Sequence, residues 1–124
     1  MHIHQHDNQY NYNEEFLNWL IEKKSKYFDW IITVTFYTSL HKMHSCLHAI
    51  GIKNRYIKKH KDLNDYVAEK FPSISAGYVL LYEECRRVRY KQIELNAITE
   101  EDLNKYLDLW RNVIKPFVPP ASSP

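Results

Sequence analysis

Glycine is almost missing from this sequence, with two in 124 residues. Tight β-hairpins draw on glycine for positive φ, so its scarcity argues against an all-β fold. Cysteine is equally scarce, and the two present, Cys46 and Cys85, fall inside apolar stripes where a free thiol behaves as a small buried hydrophobe. A disulfide framework is therefore not expected, and a reducing cytoplasm is the expected setting. No stretch of about 18 residues is free of charge, and no apolar run follows a basic start, so neither a membrane span nor a secretory leader is expected. Charge of one sign is also in short supply. Seventeen Lys and Arg against 15 Asp and Glu leave +2, too little to call for a nucleic-acid partner unless the basic residues cluster.

What is present fits one globular domain: 44% hydrophobic residues, 26% charged, and ten tyrosines in a chain long enough to bury a single core. Residues 1–12 (MHIHQHDNQYNY) are polar, alternate His2, His4 and His6, and read as a disordered, solvated tail. Asn13 is placed to cap a helix with Glu14 and Glu15 in its first turn and Phe16, Leu17, Leu20 and Ile21 at helical spacing. Ser25 is placed to cap the next, in which Phe28, Ile32, Phe36, Leu40, Met43, Leu47 and Ile50 form a long apolar stripe ended by Gly51. A basic loop (IKNRYIKK) follows, then a helix through Leu63, Tyr66 and Val67 closed by Pro72. Ser73 or Ser75 opens a further helix through Ile74, Tyr78, Leu81, Cys85 and Val88, and Thr99 with Asp102 forms a capping box for the last, through Leu103, Leu107, Trp110 and Ile114. The pattern predicts an all-α, antiparallel up-and-down bundle of about five helices over residues 13–115, with a proline-rich, disordered tail over residues 116–124.

Three constellations could carry chemistry. His41, His44 and His48 lie three and four apart on one helical face, a spacing that can chelate a transition metal. With no HExxH pattern and no close cysteine pair to complete the ligand set, no metal and no cofactor are expected, and the default role is hydrogen bonding and packing against a facing helix or a dimer partner. Arg55 and His60 form an R-x4-H spacing suited to metal-independent RNA cleavage. The imidazole would move the proton of the 2′-hydroxyl or leaving oxygen while guanidinium holds the phosphate. Finally, Lys53, Arg55, Lys58, Lys59 and Lys61, with Arg86, Arg87, Arg89 and Lys91, are interleaved with Tyr56 and Tyr90, a composition fit to bind a phosphate backbone or simply to solvate two faces.

Three stretches resemble the HEPN family of small helical bundles. Phe36-Tyr37-Thr38-Ser39-Leu40-His41 is similar to its aromatic, tyrosine-bearing helix, Lys59-His60 to the entry of its third helix, and Cys85-Arg86-Arg87-Val88-Arg89-Tyr90 to its late arginine-tyrosine signature. The likeness covers roughly residues 30–115. The chain departs from the family's nuclease branch in having no histidine after His60, and from relatives with an S-H-x-x-R entry in having Leu63 at the arginine position. The resemblance implies a homodimer that binds RNA or a nucleotide and that acts, in the enzymatic form, as a metal-independent ribonuclease of toxin or defence type. It places His60 with Arg55, Arg86 or Arg89 as catalytic candidates and Tyr37, His41, Lys59, Arg87 and Tyr90 as binding residues. The alternative is a non-catalytic interaction module acting with a partner such as a nucleotidyltransferase-like protein, in which the same side chains are structural.

Overall fold

In the computed structural model, which describes residues 3–22, 28–90 and 98–120, five α-helices account for most of the chain, and no strand occurs among the described residues. They are α1 (Ile3–Glu22), α2 (Phe28–Ala49), α3 (His60–Lys70), α4 (Pro72–Tyr90) and α5 (Glu100–Leu109), with a 3-10 turn at Asn54–Tyr56 and a π-helical turn at Trp110–Ile114. The fold is an all-α bundle, and none of the helices is long and apolar enough to cross a membrane.

The central member is α2, which packs on α1, α3, α4 and α5. Its buried residues include four hydroxyls, Thr33, Thr35, Thr38 and Ser39. Each donates to the carbonyl four residues back, at 2.8, 2.7, 2.7 and 2.9 Å, so polar side chains enter the core with their donors satisfied inside their own helix. The helix ends where Gly51 adopts φ 96°. The Gly51 and Ile52 N–H groups then close on the His48 and Leu47 carbonyls at 3.0 and 2.9 Å, the double bond of a Schellman motif.

Several sequence expectations need correction. The expected tail over residues 1–12 is, from Ile3 onward, the first half of α1, and Asn13 sits inside that helix instead of capping it. The reason is tertiary: His6, in the middle of the polar stretch, is buried against α2. Pro72 begins α4 as well as ending α3, since a first helical position loses nothing by lacking an N–H. The proline-rich end is not wholly a free tail either, because the ring of Phe117 meets Phe71 edge-on with centroids 4.9 Å apart. The same end is tied to α1 and α2 by Lys115 Nζ to Glu14 at 3.3 Å and by Lys42 Nζ donating to the Lys115 carbonyl. The capping box at Thr99 is present, with Asp102 N–H donating to Thr99 Oγ1 at 3.1 Å. Ser25 and Lys91 lie outside the described residues.

At Gly77, α4 faces the end of α5 and the π-helical turn. A Cβ built there meets Leu109 Cδ2 at 3.4 Å and Val113 Cγ1 at 3.6 Å, ordinary van der Waals separations. Since glycine inside a helix costs about 0.5–1 kcal/mol relative to alanine, Gly77→Ala is expected to raise stability by about that amount. Urea denaturation checks it, and a loss of stability would show that the α4–α5 contact has no room for a methyl group.

Candidate functional site

The helix α2 turns Phe36 and Tyr37 toward α3 and α4, where a cleft of about 430 Å³ is lined by Phe36, Tyr37, His60, Tyr82, Cys85 and Arg86. Three of these rings form its wall: Phe36 to His60 is 5.9 Å between centroids, Phe36 to Tyr82 5.8 Å, and His60 to Tyr82 5.4 Å, all tilted. Such spacings are in the normal range for aromatic packing. Arg86 lies one turn beyond Tyr82, with its guanidinium 5.7 Å from the Tyr82 ring and Nη1 donating to the Tyr82 hydroxyl at 3.4 Å. The guanidinium of Arg89 stands 5.9 Å from the ring of Tyr37. The cleft is therefore aromatic at its wall and cationic at its lip.

His60 opens α3, where the Asp62 carboxylate accepts from the backbone N–H groups of Lys58 and Lys59 at 3.0 and 3.1 Å. That bond holds the chain entering the helix and so sets the direction of the imidazole. A second, smaller cavity of about 200 Å³ adjoins it, lined by Leu40, His44, Ile57, Lys58, Lys59, His60 and Leu63. His60 is thus a wall common to both spaces. Its pKa is lowered from the usual imidazole value, first by partial burial and then by the positive charge of Arg86, so the ring is neutral at pH 7 and able to accept a proton.

The structure brings together Tyr37, His60 and Arg86, with Arg89 beside Tyr37 and Lys59 in the adjoining cavity. It does not bring in the others. Arg55, on the 3-10 turn, folds onto its neighbour Tyr56, with a 3.1 Å bond to the hydroxyl and 5.0 Å to the ring, and does not line the cleft. Arg87 faces the other side of α4 and grips buried Glu84 through Nε at 3.1 Å and Nη2 at 2.5 Å, while Tyr106 donates to the same carboxylate at 3.0 Å. Arg87 thus steadies Glu84, and Glu84 is the link between α4 and α5. His41 is buried toward α1, and the Tyr90 side chain lies outside what the structure describes. Phe36 and Tyr82 were not singled out by the sequence as site residues. The signal for Tyr82 was its place one helical turn before Arg86, which puts ring and guanidinium on one face.

His41 and His44 instead meet His6. The Nδ1 atoms of His6 and His41 are 2.6 Å apart, and the His6 ring stacks on His44 at 4.1 Å with planes 7° apart. Two parallel stacked imidazoles cannot aim their nitrogens at a common point, and no group of three or more His, Cys, Asp or Glu among the described residues is arranged to hold a metal ion.

The chain matches no protein-family model, no curated protein and no solved structure.

The His60 resonance followed by NMR is expected to titrate below the ordinary imidazole range, and Arg86→Gln to move its midpoint up by removing the adjacent charge. A midpoint unmoved by that change would mean that Arg86 does not face the ring.

Proposed function

We propose that this chain is a HEPN-like domain that binds single-stranded RNA or a nucleotide in the cleft between α2, α3 and α4. The observation that carries the reading is the pair of accessible rings, Tyr82 and His60, backed by buried Phe36, with Arg86 at the lip. Unstacked bases are held by aromatic faces, each worth about 1–3 kcal/mol, and their phosphates by guanidinium and ammonium groups. The order of the three motifs that resemble the HEPN family agrees with it. Lys58 and Lys59 extend the positive charge past His60, along the path a backbone would follow out of the cleft.

Metal-independent cleavage is the narrower form of this reading. A neutral His60 suits the removal of a 2′-hydroxyl proton, and Arg86 suits the charge that develops on the phosphoryl oxygens. The lining offers one imidazole, and protonation of the leaving oxygen would fall to the hydroxyl of Tyr37 or Tyr82, or to a group from a second copy. Binding is therefore the better supported activity. A second reading, the non-catalytic interaction module, is favoured by Tyr12, Phe16 and Trp19. They recur on one face of α1 and are 67%, 40% and 53% exposed, an aromatic stripe suited to a homodimer or to a nucleotidyltransferase-like partner.

The test is fluorescence anisotropy with labelled single-stranded RNA in excess EDTA. Tyr82→Ala is expected to weaken binding about 5- to 150-fold, the equivalent of one lost stacking contact. Arg86→Gln should weaken it and lower the slope of log Kd against log salt by about 0.7, whereas Arg111→Gln, on the exposed side of the π-helical turn, should change little. The same incubation read on a gel reports cleavage, which His60→Ala should abolish. Wild-type protein that neither binds nor cuts the RNA would remove the nucleic-acid reading and leave the module.

A further inference from the structure

The buried side of α1 changes character along its length. Leu20, Leu17, Asn13, Tyr10 and His6 recur every three or four residues, and Leu17 and Leu20 belong to the core. Over residues 4–13, by contrast, His6 is the buried residue, 5% exposed, with Gln9, Tyr10 and Asn13 half-buried and the rest exposed. On the antiparallel α2 the matching level carries His41, 7% exposed, and His44. The seam between α1 and α2 is therefore closed by leucine at one end and by imidazole at the other. An apolar side chain at position 6 would be the ordinary solution, and a histidine buried on two histidines makes the contact depend on protonation.

We propose that His6, His41 and His44 form an acid-operated latch: proton uptake separates the first half of α1 from α2 while the leucine end of the seam and the rest of the bundle stay folded. The geometry states why. With Nδ1 atoms 2.6 Å apart, His6 and His41 share one proton, one ring donating and the other accepting. A second proton puts two N–H groups at the same point, and the contact must open. The centroids of His6 lie 4.1 and 4.9 Å from those of His44 and His41, so two charged rings in this space repel strongly.

Among the groups facing the cluster, which include the terminal ammonium, one carboxylate opposes such charge without cancelling it: Asp7 of α1, which is engaged by Ser45 Oγ at 2.5 Å and whose effect on His6 is smaller than that of burial. Glu14, further along α1, is paired with Lys115 and accepts from Tyr10 at 3.2 Å. From α2 the facing groups are Lys42 and Cys46, which line a cavity with Asp7 and Tyr10. The 3-10 turn places Asn54 against His44, and the chain entering α3 places Lys58, Lys59 and His60 around the cavity that His44 lines. Burial and then the neighbouring imidazole His6 push His41 and His44 down to about 4. A detached α1 frees the rings to take protons at their ordinary value of 6.5. The docked form is thus favoured in full above that value, and its advantage is lost as pH falls toward about 4. The latch stands whether or not the cleft binds RNA.

Hydrogen–deuterium exchange on the whole chain, corrected for the pH dependence of intrinsic exchange, decides it. Between about pH 7.5 and pH 4.5, amides of residues 4–13 are expected to lose protection by about tenfold or more, with recovery on return, while α3 and α4 keep theirs. His6→Leu, which removes the shared proton and the ring–ring repulsion but leaves His41 and His44 buried, should lose clearly less protection over residues 4–13 than the wild type, and His48→Ala, outside the cluster, should behave as wild type. Constant protection in the wild type, simultaneous loss throughout the bundle, or opening of the His6→Leu protein to the same extent would each overturn the proposal.

Discussion

A polar side chain enters a helical core at little cost only if its hydrogen-bonding groups are met nearby, and α2 is built on that condition. Thr33, Thr35, Thr38 and Ser39 return their hydroxyl protons to carbonyls of their own helix, so α2 is packed on by four other helices without orphaning these hydroxyls. Because α2 is central, what it presents on each side sets what the neighbours must be. The side carrying Phe36 and Tyr37 needs α3 and α4 to supply rings and a cation, and His60, Tyr82 and Arg86 do so. The side carrying His41 and His44 needs a neutral polar partner, and His6 meets it.

The two polar regions share one helix but have opposite electrostatic characters. The cleft keeps arginine at its lip, in contact with water, so its charge is permanent and available to an anion. The histidine cluster is withdrawn from water, so it is neutral by default and responds to protons instead of anions. His60 and His44 both line the smaller cavity between the two regions, which makes that cavity the place where the neutral and the cationic halves of the molecule meet. Arg87 shows the same logic from the other side. Its charge is committed to buried Glu84, whose carboxylate also accepts from the Tyr106 hydroxyl, so proximity in sequence to Arg86 and Arg89 does not make it part of the lip.

Much of the fold was legible because helical periodicity and end signals are local. The stripe of α2, the Gly51 terminus with its positive φ and the Thr99 capping box were all readable from residues a few positions apart. The first half of α1 was not, since its buried position is occupied by histidine, and a polar stripe looks like solvent-facing sequence until its partner is known. The candidate site was legible in part for a related reason. His60 and Arg86 stood out by residue type and Tyr37 through the family resemblance, and Tyr82 and Phe36 did not, because a ring on an apolar stripe reads as core. Arg55 and His60 are five apart in sequence, yet the turn between them sends the guanidinium onto Tyr56.

By itself the sequence determined the all-α class, most of the helices and the ends at Gly51 and Thr99, since those follow from backbone hydrogen bonding and from the spacing of apolar residues within single segments. Tertiary structure alone decided which side chains meet: His60 with Tyr82, Glu84 with Tyr106, and His6 with His41 across 35 residues. Those pairings depend on how far each helix is rotated about its own axis when several apolar faces are packed at once. A rotation of that kind is settled by the whole core together and leaves no signature in any one segment.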